Sequence, residues 1–512
     1  MRLVLFGTSG NQAYVFASNR LREAVGASYL ISEATTSVVR DLGKDHEAEV
    51  LQCSSGSALV VVPTEGHARG LVAAVTEHAV RKAPGLQVLG VHMDIGAVPP
   101  SPDEIREIYR LWRWHASRSV GVAARWPRLP VVAACGSTDA PAAAWYSDSV
   151  PRRGTPSDAE VPRPLSAQVI AKRRARPAAD RRMKALLDRT PAGKGLRLVG
   201  TAELFEDVEW VGVVHADANR LGQFFVDAAG LPNTQMGALS TAIQRCAENA
   251  FGEAVAQVAG LAKRTQELPV VPLVIGGDDL TALVDGRYAL AFTTRYLTAF
   301  GEYAAADPVV RAAVHAIGNG ALTVSAGVAV VKPHFPFSTA YQLAGELCDS
   351  AKSVAKEHRG SHALDVHVLL DSTFTDLERI RQGYQVVDGD GELSVTARPF
   401  LVPTRESATI PPDRDWTKLA ERLTVVREMP VAADGRVVTR TQLHALRDEL
   451  RRDVKRAERR LSDLKRRAVT EEDRAMLRAL AGDSAGVRNG TGVLPALDLL
   501  ELAEFAELEV SA

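Results

Sequence analysis

The spacing of apolar residues over the first 92 positions alternates between the two-residue period of strands and the longer period of helices. In chain order it predicts strand, helix, strand, strand, helix, strand. The predicted segments are 2–6, 11–42, 49–53, 58–62, 67–82 and 86–92. Ser54-Ser55-Gly56-Ser57 separates the two middle strands, which is a hairpin signal. This order predicts an antiparallel-centred sheet with helices on one face, the layout of ferredoxin-like domains.

The same order of elements returns in the second half of the chain. Strands are predicted at 210–215, 270–275, 281–284 and 322–331, and helices at 237–263, 289–305 and 338–357. Such a repeat indicates a tandem duplication of one α+β unit. The predicted fold class is therefore α+β, with two ferredoxin-like domains in tandem and a C-terminal helical appendage.

Two further segments complete the predicted organisation. Residues 136–204 combine a Pro- and Gly-rich linker with a basic helix, whose cations are Lys172, Arg173, Arg174, Arg176, Arg181, Arg182 and Lys184. That run is either a solvated helix face or an arm that contacts phosphates. Residues 376–512 are predicted to be mostly helical, with a long helix beginning at Thr439. The predicted domains are 1–135, 136–204, 205–375 and 376–512.

Composition and charge are those of a globular protein without a membrane span. Of the 512 residues, 46% are hydrophobic and 24% are charged, and the net charge is −1. No apolar run reaches the roughly 18 residues that a membrane span needs. The first residues do not form a signal peptide, so a cytoplasmic location is expected. The four cysteines form no C-x-x-C pair, which favours buried thiols over a zinc site or a disulfide framework.

The clearest chemical signal is PLVIGGDDLTAL at 272–283. Two apolar strands flank two glycines, which allow a tight turn and leave room for a phosphate or ribose. The adjacent carboxylates offer the hard oxygen ligands that Mg²⁺ or Mn²⁺ needs. An Asp-Asp turn alone is usually structural, but the flanking strands and glycines favour a catalytic or metal-binding site. We therefore expect Asp278 and Asp279 to be catalytic and metal-binding, and Gly276 and Gly277 to contact nucleotide.

A third carboxylate, Asp217, ends the preceding predicted strand in HADANRLG at 215–222. In a ferredoxin-like sheet this strand end lies beside the hairpin tip, so Asp217 is predicted to complete a two-metal clamp as a catalytic residue and metal ligand. The residues after it open a helix, whose first backbone N–H groups would point at a triphosphate. Asn219 and Gly222 are therefore predicted to bind nucleotide.

The stretch ALTVSAGVAVVKPH at 321–334 adds further candidates. Its small Ser-Ala-Gly patch lets a nucleobase lie against the strand, which makes Ser325 a predicted nucleotide contact. Lys332 would emerge at the strand end, and Lys352 lies on the next predicted helix, one turn before Lys356. Polyphosphate chemistry needs cations, so Lys332 and Lys352 are predicted to contact phosphates. Lys356 is predicted to be solvated.

At these residues the sequence resembles the large polymerase-like or cyclase-like subunit of type III CRISPR effector complexes and its stand-alone CRISPR-polymerase relatives. The matching stretches are HADANRLGQFF, LVIGGDDLTALV, TVSAGVAVVKPHFPFSTAYQLAGELCDSAK and HALDVHVL. The resemblance implies two palm domains, a degenerate first palm at 1–135 without an acidic motif and a catalytic second palm at 205–375. It also implies synthesis of cyclic oligoadenylates from ATP with a divalent metal.

Three hypotheses of function are open at this point. The first is a nucleotidyltransferase that converts ATP, with other NTPs as further candidate substrates, into a cyclic or linear oligonucleotide second messenger in antiviral defence. Its partners would be an activating RNA or ribonucleoprotein and a downstream effector that senses the product. The second is a non-catalytic or regulatory subunit of an RNA-guided complex, and the third is an enzyme like a diguanylate cyclase. Three converging carboxylates favour the first. The chain has no His-Asp dipeptide, so no metal-dependent DNase activity is expected.

Overall fold

The N-terminal apolar pattern folds into an antiparallel sheet with helices packed against it. The computed structural model describes all residues except 19, 120–128, 148–160, 201–207, 230–235, 278, 319, 371–375, 389–390, 408, 429–436, 482–494 and 509–512. The strands are β1 (Arg2–Ser9), β2 (Glu49–Ser54), β3 (Ser57–Val62) and β4 (Gln87–Asp94), in the sheet order β2-β3-β1-β4. The helices are α1 (Asn11–Val15), α2 (Leu21–Thr35), α3 (Ser37–Gly43), α4 (Glu65–Lys82) and α5 (Pro102–Arg118). All neighbouring strands are antiparallel, as the ferredoxin-like prediction requires.

The helix predicted at 11–42 is three separate helices. The backbone leaves the helical region at Thr36, where φ is −111° and ψ is −85°, so α2 and α3 run in different directions. The Thr36 hydroxyl donates to the Ser32 carbonyl oxygen at 2.6 Å, which gives the chain a local alternative to the next helical turn. Apolar spacing alone did not reveal this break.

The segment between the two halves is built into the first half. It consists of β5 (Ala144–Tyr146), β6 (Arg163–Leu165) and α6 (Ala167–Arg189). Lys172 and Arg173 on α6 are buried. Lys172 donates to the Tyr14 carbonyl oxygen, and Arg173 pairs with Glu23 at 2.9 Å. At these two positions both predictions for the basic run, a solvated face and a phosphate-binding arm, are wrong, because buried partners satisfy the charges.

The second half repeats the sheet of the first. Its strands are β7 (Val211–Ala218), β8 (Val270–Gly276), β9 (Asp279–Asp285) and β10 (Val324–Val331), in the order β8-β9-β7-β10, and β11 (His362–Val368) runs parallel to β10. Its helices are α7 (Leu221–Ala229), α8 (Met236–Ala262), α9 (Ala289–Ala306), α10 (Pro308–Ile317) and α11 (Phe337–Glu357). The matching strand order confirms the tandem α+β fold that the sequence predicts.

The C-terminal region is mostly helical. It contains α12 (Leu377–Gln382), β12 (Gln385–Asp388), β13 (Gly391–Ser394), β14 (Phe400–Val402), α13 (Trp416–Glu428), α14 (Arg440–Leu450), α15 (Val454–Arg467), α16 (Glu471–Ala481) and α17 (Pro495–Leu502). Strand β14 pairs with β11, so the second sheet takes its edge strand from beyond residue 375. The helix predicted from 439 is two helices, because the Asp453 side chain accepts from the Arg456 N–H and starts the second one.

One cluster of buried apolar side chains includes residues from both sheets and from the C-terminal helices. The four cysteines are buried and free, as predicted from their spacing. Among the described residues, no helix combines the length and apolar character needed to cross a membrane. The two halves and the C-terminal helices therefore share their main hydrophobic core.

The contact between α2 and α6 gives a test of the fold. A Cβ atom added at Gly26 would lie 1.9 Å from the Lys172 carbonyl oxygen, so only glycine lets the two helices come this close. We expect Gly26→Ala to lower stability by about 1–3 kcal/mol, the usual cost of overpacking, and to lower the thermal unfolding midpoint.

The matched control is Gly345→Ala on α11, where an added Cβ meets no atom within 4 Å. That change should raise the midpoint slightly, since alanine favours a helix over glycine by roughly 0.5–1 kcal/mol. Equal midpoints for the two variants, measured by circular dichroism, would show that the close approach of α2 and α6 is not a constraint.

Candidate active site

Two carboxylates face each other across neighbouring strands at one edge of the second sheet. Asp217 near the end of β7 pairs in register with Asp279 at the start of β9. Strand β8 ends at Gly276, which pairs with Asp279 on the other side. The sequence prediction that Asp217 lies beside the hairpin tip therefore agrees with the strand register. Asp278, the third predicted carboxylate, lies outside the described residues.

The two-residue period of β7 explains why Asp217 is available. Val214 and Ala216 are fully buried on one face of the strand, whereas His215 and Asp217 point to the other face and are partly exposed. On the neighbouring strand β9, Thr281 pairs with His215 and adds a polar side chain to the same face of the sheet. One face of β7 thus belongs to the core, and the opposite face carries the polar groups of the site.

A lysine from α11 binds one of the carboxylates. Lys352 Nζ donates to Asp217 Oδ2, and the two side chains are 25% and 21% exposed. Burial lowers the pKa of Lys352, but the hydrogen bond and the charge of Asp217 outweigh it, and the pKa is raised. Lys352 is therefore a cation held at the carboxylate site. Its predicted role as a phosphate contact remains a prediction.

Asn219 joins the end of β7 to the start of β10. Its backbone N–H donates to the Thr323 carbonyl oxygen at 2.8 Å, and Nδ2 donates to Thr323 Oγ1 at 2.9 Å. Its Oδ1 accepts from Ser325 Oγ at 2.8 Å. Ser325 is completely buried, so the structure does not support the predicted nucleobase contact by its side chain. Ser325 instead orients Asn219, because a buried hydroxyl needs a hydrogen-bond partner.

The turn that follows Asn219 opens toward solvent. Arg220 adopts a left-handed backbone conformation with φ of 59°, an unusual geometry for a residue other than glycine. Helix α7 then begins at Leu221, and Gly222 in its first turn is exposed. A Cβ added at Gly222 would meet no atom within 4 Å, so there is free space over the helix start.

The predicted glycines lie where the two halves of the chain meet. A Cβ at Gly276 would lie 3.2 Å from Ser55 Cβ, and one at Gly277 would lie 3.4 Å from Ser54 Cβ. Thr35 on α2 fixes the opposing turn, since its hydroxyl donates to the Ser54 carbonyl oxygen and accepts from the Gly56 N–H, both at 2.8 Å. The degenerate turn of the first half is thus packed against the Gly-Gly turn of the second.

Lys332 lies at the opposite end of β10 from the carboxylates. Strands β10 and β7 are antiparallel, and Ser325 at the start of β10 is the residue that pairs with Asp217. Lys332 comes seven positions later, which corresponds to about 23 Å of strand at about 3.3 Å per residue. Its Nζ lies 3.0 Å from Glu209 and 3.7 Å from the centroid of the Trp210 ring. The structure therefore places Lys332 away from Asp217 and Asp279, and its predicted contact with substrate phosphate remains a prediction.

The sequence pattern did not reveal several neighbours of the carboxylates. The Tyr341 ring packs edge-to-face on His215, with ring centroids 5.6 Å apart, and lies at a tilt to Phe16 of the first half, with centroids 4.5 Å apart. Burial and the charge of Asp279 raise the pKa of Tyr341. Burial lowers the pKa of His215. Helical spacing offered a signal, because Tyr341 precedes Lys352 by 11 residues, or three turns, and so shares its face of α11.

The described part of the site contains two carboxylates but no complete metal cage. Within the residues that the structure describes, no three His, Cys, Asp or Glu side chains come together in a metal-binding group. Asp217 and Asp279 supply hard oxygen atoms of the kind that Mg²⁺ prefers. The Lys352 ammonium group on Asp217 shows that this carboxylate accepts a cation. The donor chemistry at this edge therefore fits a divalent cation.

The sequence of the second half matches a known family. Residues 210–362 match the family model described as Cas10/Cmr2, second palm domain. The matched segment contains β7 to β10 and therefore both described carboxylates. A search of curated proteins gives no match.

The fold of nearly the whole chain is similar to solved structures. The Csm1-Csm4 cassette in complex with AMPPNP has a TM-score of 0.54 at 12% identity, over 99% of this chain and 69% of that one. The cassette in complex with pppApA has a TM-score of 0.53 at 14% identity, over 99% of this chain and 69% of that one. Csm1 in T. onnurineus has a TM-score of 0.50 at 15% identity, over 99% of this chain and 70% of that one. This chain resembles the large subunit of type III CRISPR complexes. At these identities the structural similarity establishes the fold alone.

The Asn219 junction generates a stability prediction. Replacing Asn219 with alanine removes both side-chain hydrogen bonds and leaves the buried Ser325 hydroxyl without its acceptor. Such a loss costs about 1–3 kcal/mol, so the unfolding midpoint in denaturant should fall. Gln223→Ala is the matched control, because it removes one exposed side-chain hydrogen bond to Asp227. A midpoint for Asn219→Ala no lower than that of the control would contradict the structural role.

Proposed function

We propose that this chain is a metal-dependent nucleotidyltransferase that converts ATP, and other NTPs if its base selectivity is broad, into a cyclic or linear oligonucleotide second messenger in antiviral defence. The observation that carries the proposal is the pairing of Asp217 with Asp279 beside the Gly276-Gly277 turn. A purely structural sheet has no need for two carboxylates directly opposite each other, since like charges there are destabilising. The resemblance to the CRISPR large subunit supports the same chemistry.

Asp217, Asp279 and the adjacent Asp278 are the residues that would hold Mg²⁺ or Mn²⁺. When bound, the ion would supply positive charge that offsets the charge of the triphosphate and of its leaving pyrophosphate. Lys352 already places one positive charge on Asp217. We propose that this lysine moves its hydrogen bond from Asp217 to a substrate phosphate oxygen when the carboxylate takes another cation.

The start of α7 is suited to the triphosphate. Free backbone N–H groups at a helix start attract anions, and the space over Gly222 leaves them accessible. Asn219 would fix the position of this turn through its hydrogen bonds to β10. In this proposal Asn219 and Ser325 act as positioning residues.

The first half would hold the nucleotide that provides the attacking 3′-hydroxyl. Bond formation needs that hydroxyl close to the α-phosphate and in line with the leaving group. The turn formed by Ser54 and Ser55 is the part of the first half that packs on Gly276 and Gly277. It carries no acid, so the carboxylate chemistry would take place on the second half alone.

A second function is favoured by the relatives. Among the similar solved structures are a Csm1-Csm4 cassette and a Csm1-Csm4 subcomplex in the type III-A CRISPR-Csm interference complex. By analogy, this chain would be a subunit of an RNA-guided complex and would bind a protein partner similar to Csm4, with RNA as the activator. In its non-catalytic form this alternative predicts nucleotide binding without product formation.

The catalytic proposal predicts the effect of isosteric changes at the carboxylates. Asp217→Asn, Asp278→Asn and Asp279→Asn each remove a negative charge at nearly constant volume. Each should lower product formation by roughly 10²–10³-fold, the range found when one transition-state stabilising group is removed. The measurement is incubation with each labelled NTP and Mg²⁺ or Mn²⁺, followed by mass spectrometry of the products.

Asp227→Asn provides the matched control, because Asp227 is a carboxylate on the exposed part of α7. It should keep the wild-type rate. Wild-type product formation by an Asp217→Asn/Asp279→Asn double variant would refute the catalytic assignment. If the unaltered chain with its RNA activator binds NTPs but forms no product, the regulatory alternative is favoured.

The proposal predicts opposite effects on product formation for substitutions at the two candidate lysines. Lys352→Met removes the cation at Asp217, so product formation should fall by roughly 10²-fold. Its stability cost should lie between the ~1 kcal/mol of exposed pairs and the ~3–5 kcal/mol of buried pairs. Lys332→Met breaks an exposed pair with Glu209 at the opposite sheet edge and should leave the rate unchanged. The idea fails if Lys332→Met impairs synthesis as strongly as Lys352→Met does.

A further inference from the structure

A cavity of about 330 Å³ lies away from the two carboxylates, where α2, α6 and β8 meet. Asp217, Asp279 and Lys352 are not among the residues that line it. Ser55 is in its wall, on the turn that also contacts Gly276. Pockets for small organic ligands begin at about 300 Å³, so the cavity has room for one small molecule.

The charge of the cavity is strongly asymmetric. Its charged lining residues are Arg176, Asp180, Arg182, Lys184 and Arg197, four cations and one carboxylate. Arg176 Nε lies 3.6 Å from Asp180, and Arg197 Nη1 lies 3.1 Å from Asp188. The Arg182 guanidinium donates to a neutral hydroxyl, that of Ser32, at 2.7 Å. An anion would thus meet an excess of positive charge and the planar donors that suit phosphate oxygens.

The opposite wall is apolar. Val271, Pro272, Leu273 and Ile275 of β8 line the cavity around an irregularity in the strand, together with Val25 and Leu198. Between the two walls, Ser28 and Ser32 present hydroxyls one turn apart on α2. A ligand that matches this surface has an anionic group, a part with hydrogen-bonding atoms and a flat or apolar part.

We infer that this cavity is an additional nucleotide site, apart from the two that the proposed reaction uses, and that it binds a nucleoside monophosphate. The phosphate lies against Arg182 and Arg176, the ribose reaches the hydroxyls of α2, and the base covers the aliphatic wall of β8. A fatty acid would match the cations and the apolar wall, but it would offer no hydrogen-bond partner to the Ser28 hydroxyl and none to the Ser32 hydroxyl beyond the one that Arg182 gives it. A ribose carries hydroxyls that both donate and accept, so the hydroxyls of α2 favour the nucleotide.

The test measures binding directly and does not rest on the proposed synthase activity. The full-length Asp217→Asn/Asp279→Asn variant is titrated with AMP in the presence of EDTA by isothermal titration calorimetry. Separate titrations use adenosine and inorganic phosphate. We expect AMP to bind, and each of its two parts to bind at least about ten-fold more weakly, because each part meets only some of the walls.

Charge reversal then locates the bound AMP. Arg182→Glu, and independently Arg176→Glu at the partly exposed rim, should each weaken AMP binding at least about ten-fold through like-charge repulsion. Arg311→Glu on α10, an exposed position away from the cavity, should leave it unchanged. No AMP binding at millimolar concentration, unaltered affinity in both cavity variants, or phosphate binding as tight as AMP binding would each overturn the inference.

Discussion

The register between β7 and β9 sets two carboxylates, Asp217 and Asp279, directly opposite each other at one edge of a sheet. Like charges at that distance repel, and the neighbouring side chains respond differently at the two carboxylates. Lys352 binds Asp217, and the partly buried Tyr341 lies close enough to Asp279 that the carboxylate adds to the effect of burial in raising the pKa of the tyrosine. The rest of the second half holds these two carboxylates in place. It does so from the tight turn at Gly277 to α11 across the sheet.

Apolar runs bounded by turn residues were sufficient to predict the four strands of the first sheet and four of the six strands of the second, because such runs are typical of buried strands like β10. They also predicted the position of Asp217, since a strand end and a hairpin tip must meet in this topology. Lys332 was misplaced because residue spacing does not give the direction in which β10 runs past β7. Lys172 was misjudged because a charge pattern does not show a partner such as Tyr14, which is 158 residues away. The spacing of residues along the sequence does not show contacts between segments that are far apart in the chain.

The two halves share a strand order but differ at the equivalent turn. In the first half Ser54 pairs with Ser57, and in the second Gly276 pairs with Asp279. Both turns join neighbouring antiparallel strands, and they pack against each other. The two halves thus present similar turns, and of the paired residues named here only Asp279, in the second half, carries a charge. Such a division allows one side to diverge without disturbing the carboxylates on the other.

The burial of Lys172 and Arg173 determines where this protein can be divided. Glu23 accepts from Ser18 at 2.5 Å and pairs with Arg173, so a fragment that ended before α6 would keep a buried acid without its counter-charge. The structural unit of the first half therefore includes α6, which ends at Arg189, well past the apparent linker. Natural recombination that exchanges the first half between relatives would have to carry α6 with it, so crossover points that yield folded hybrids should fall after this helix.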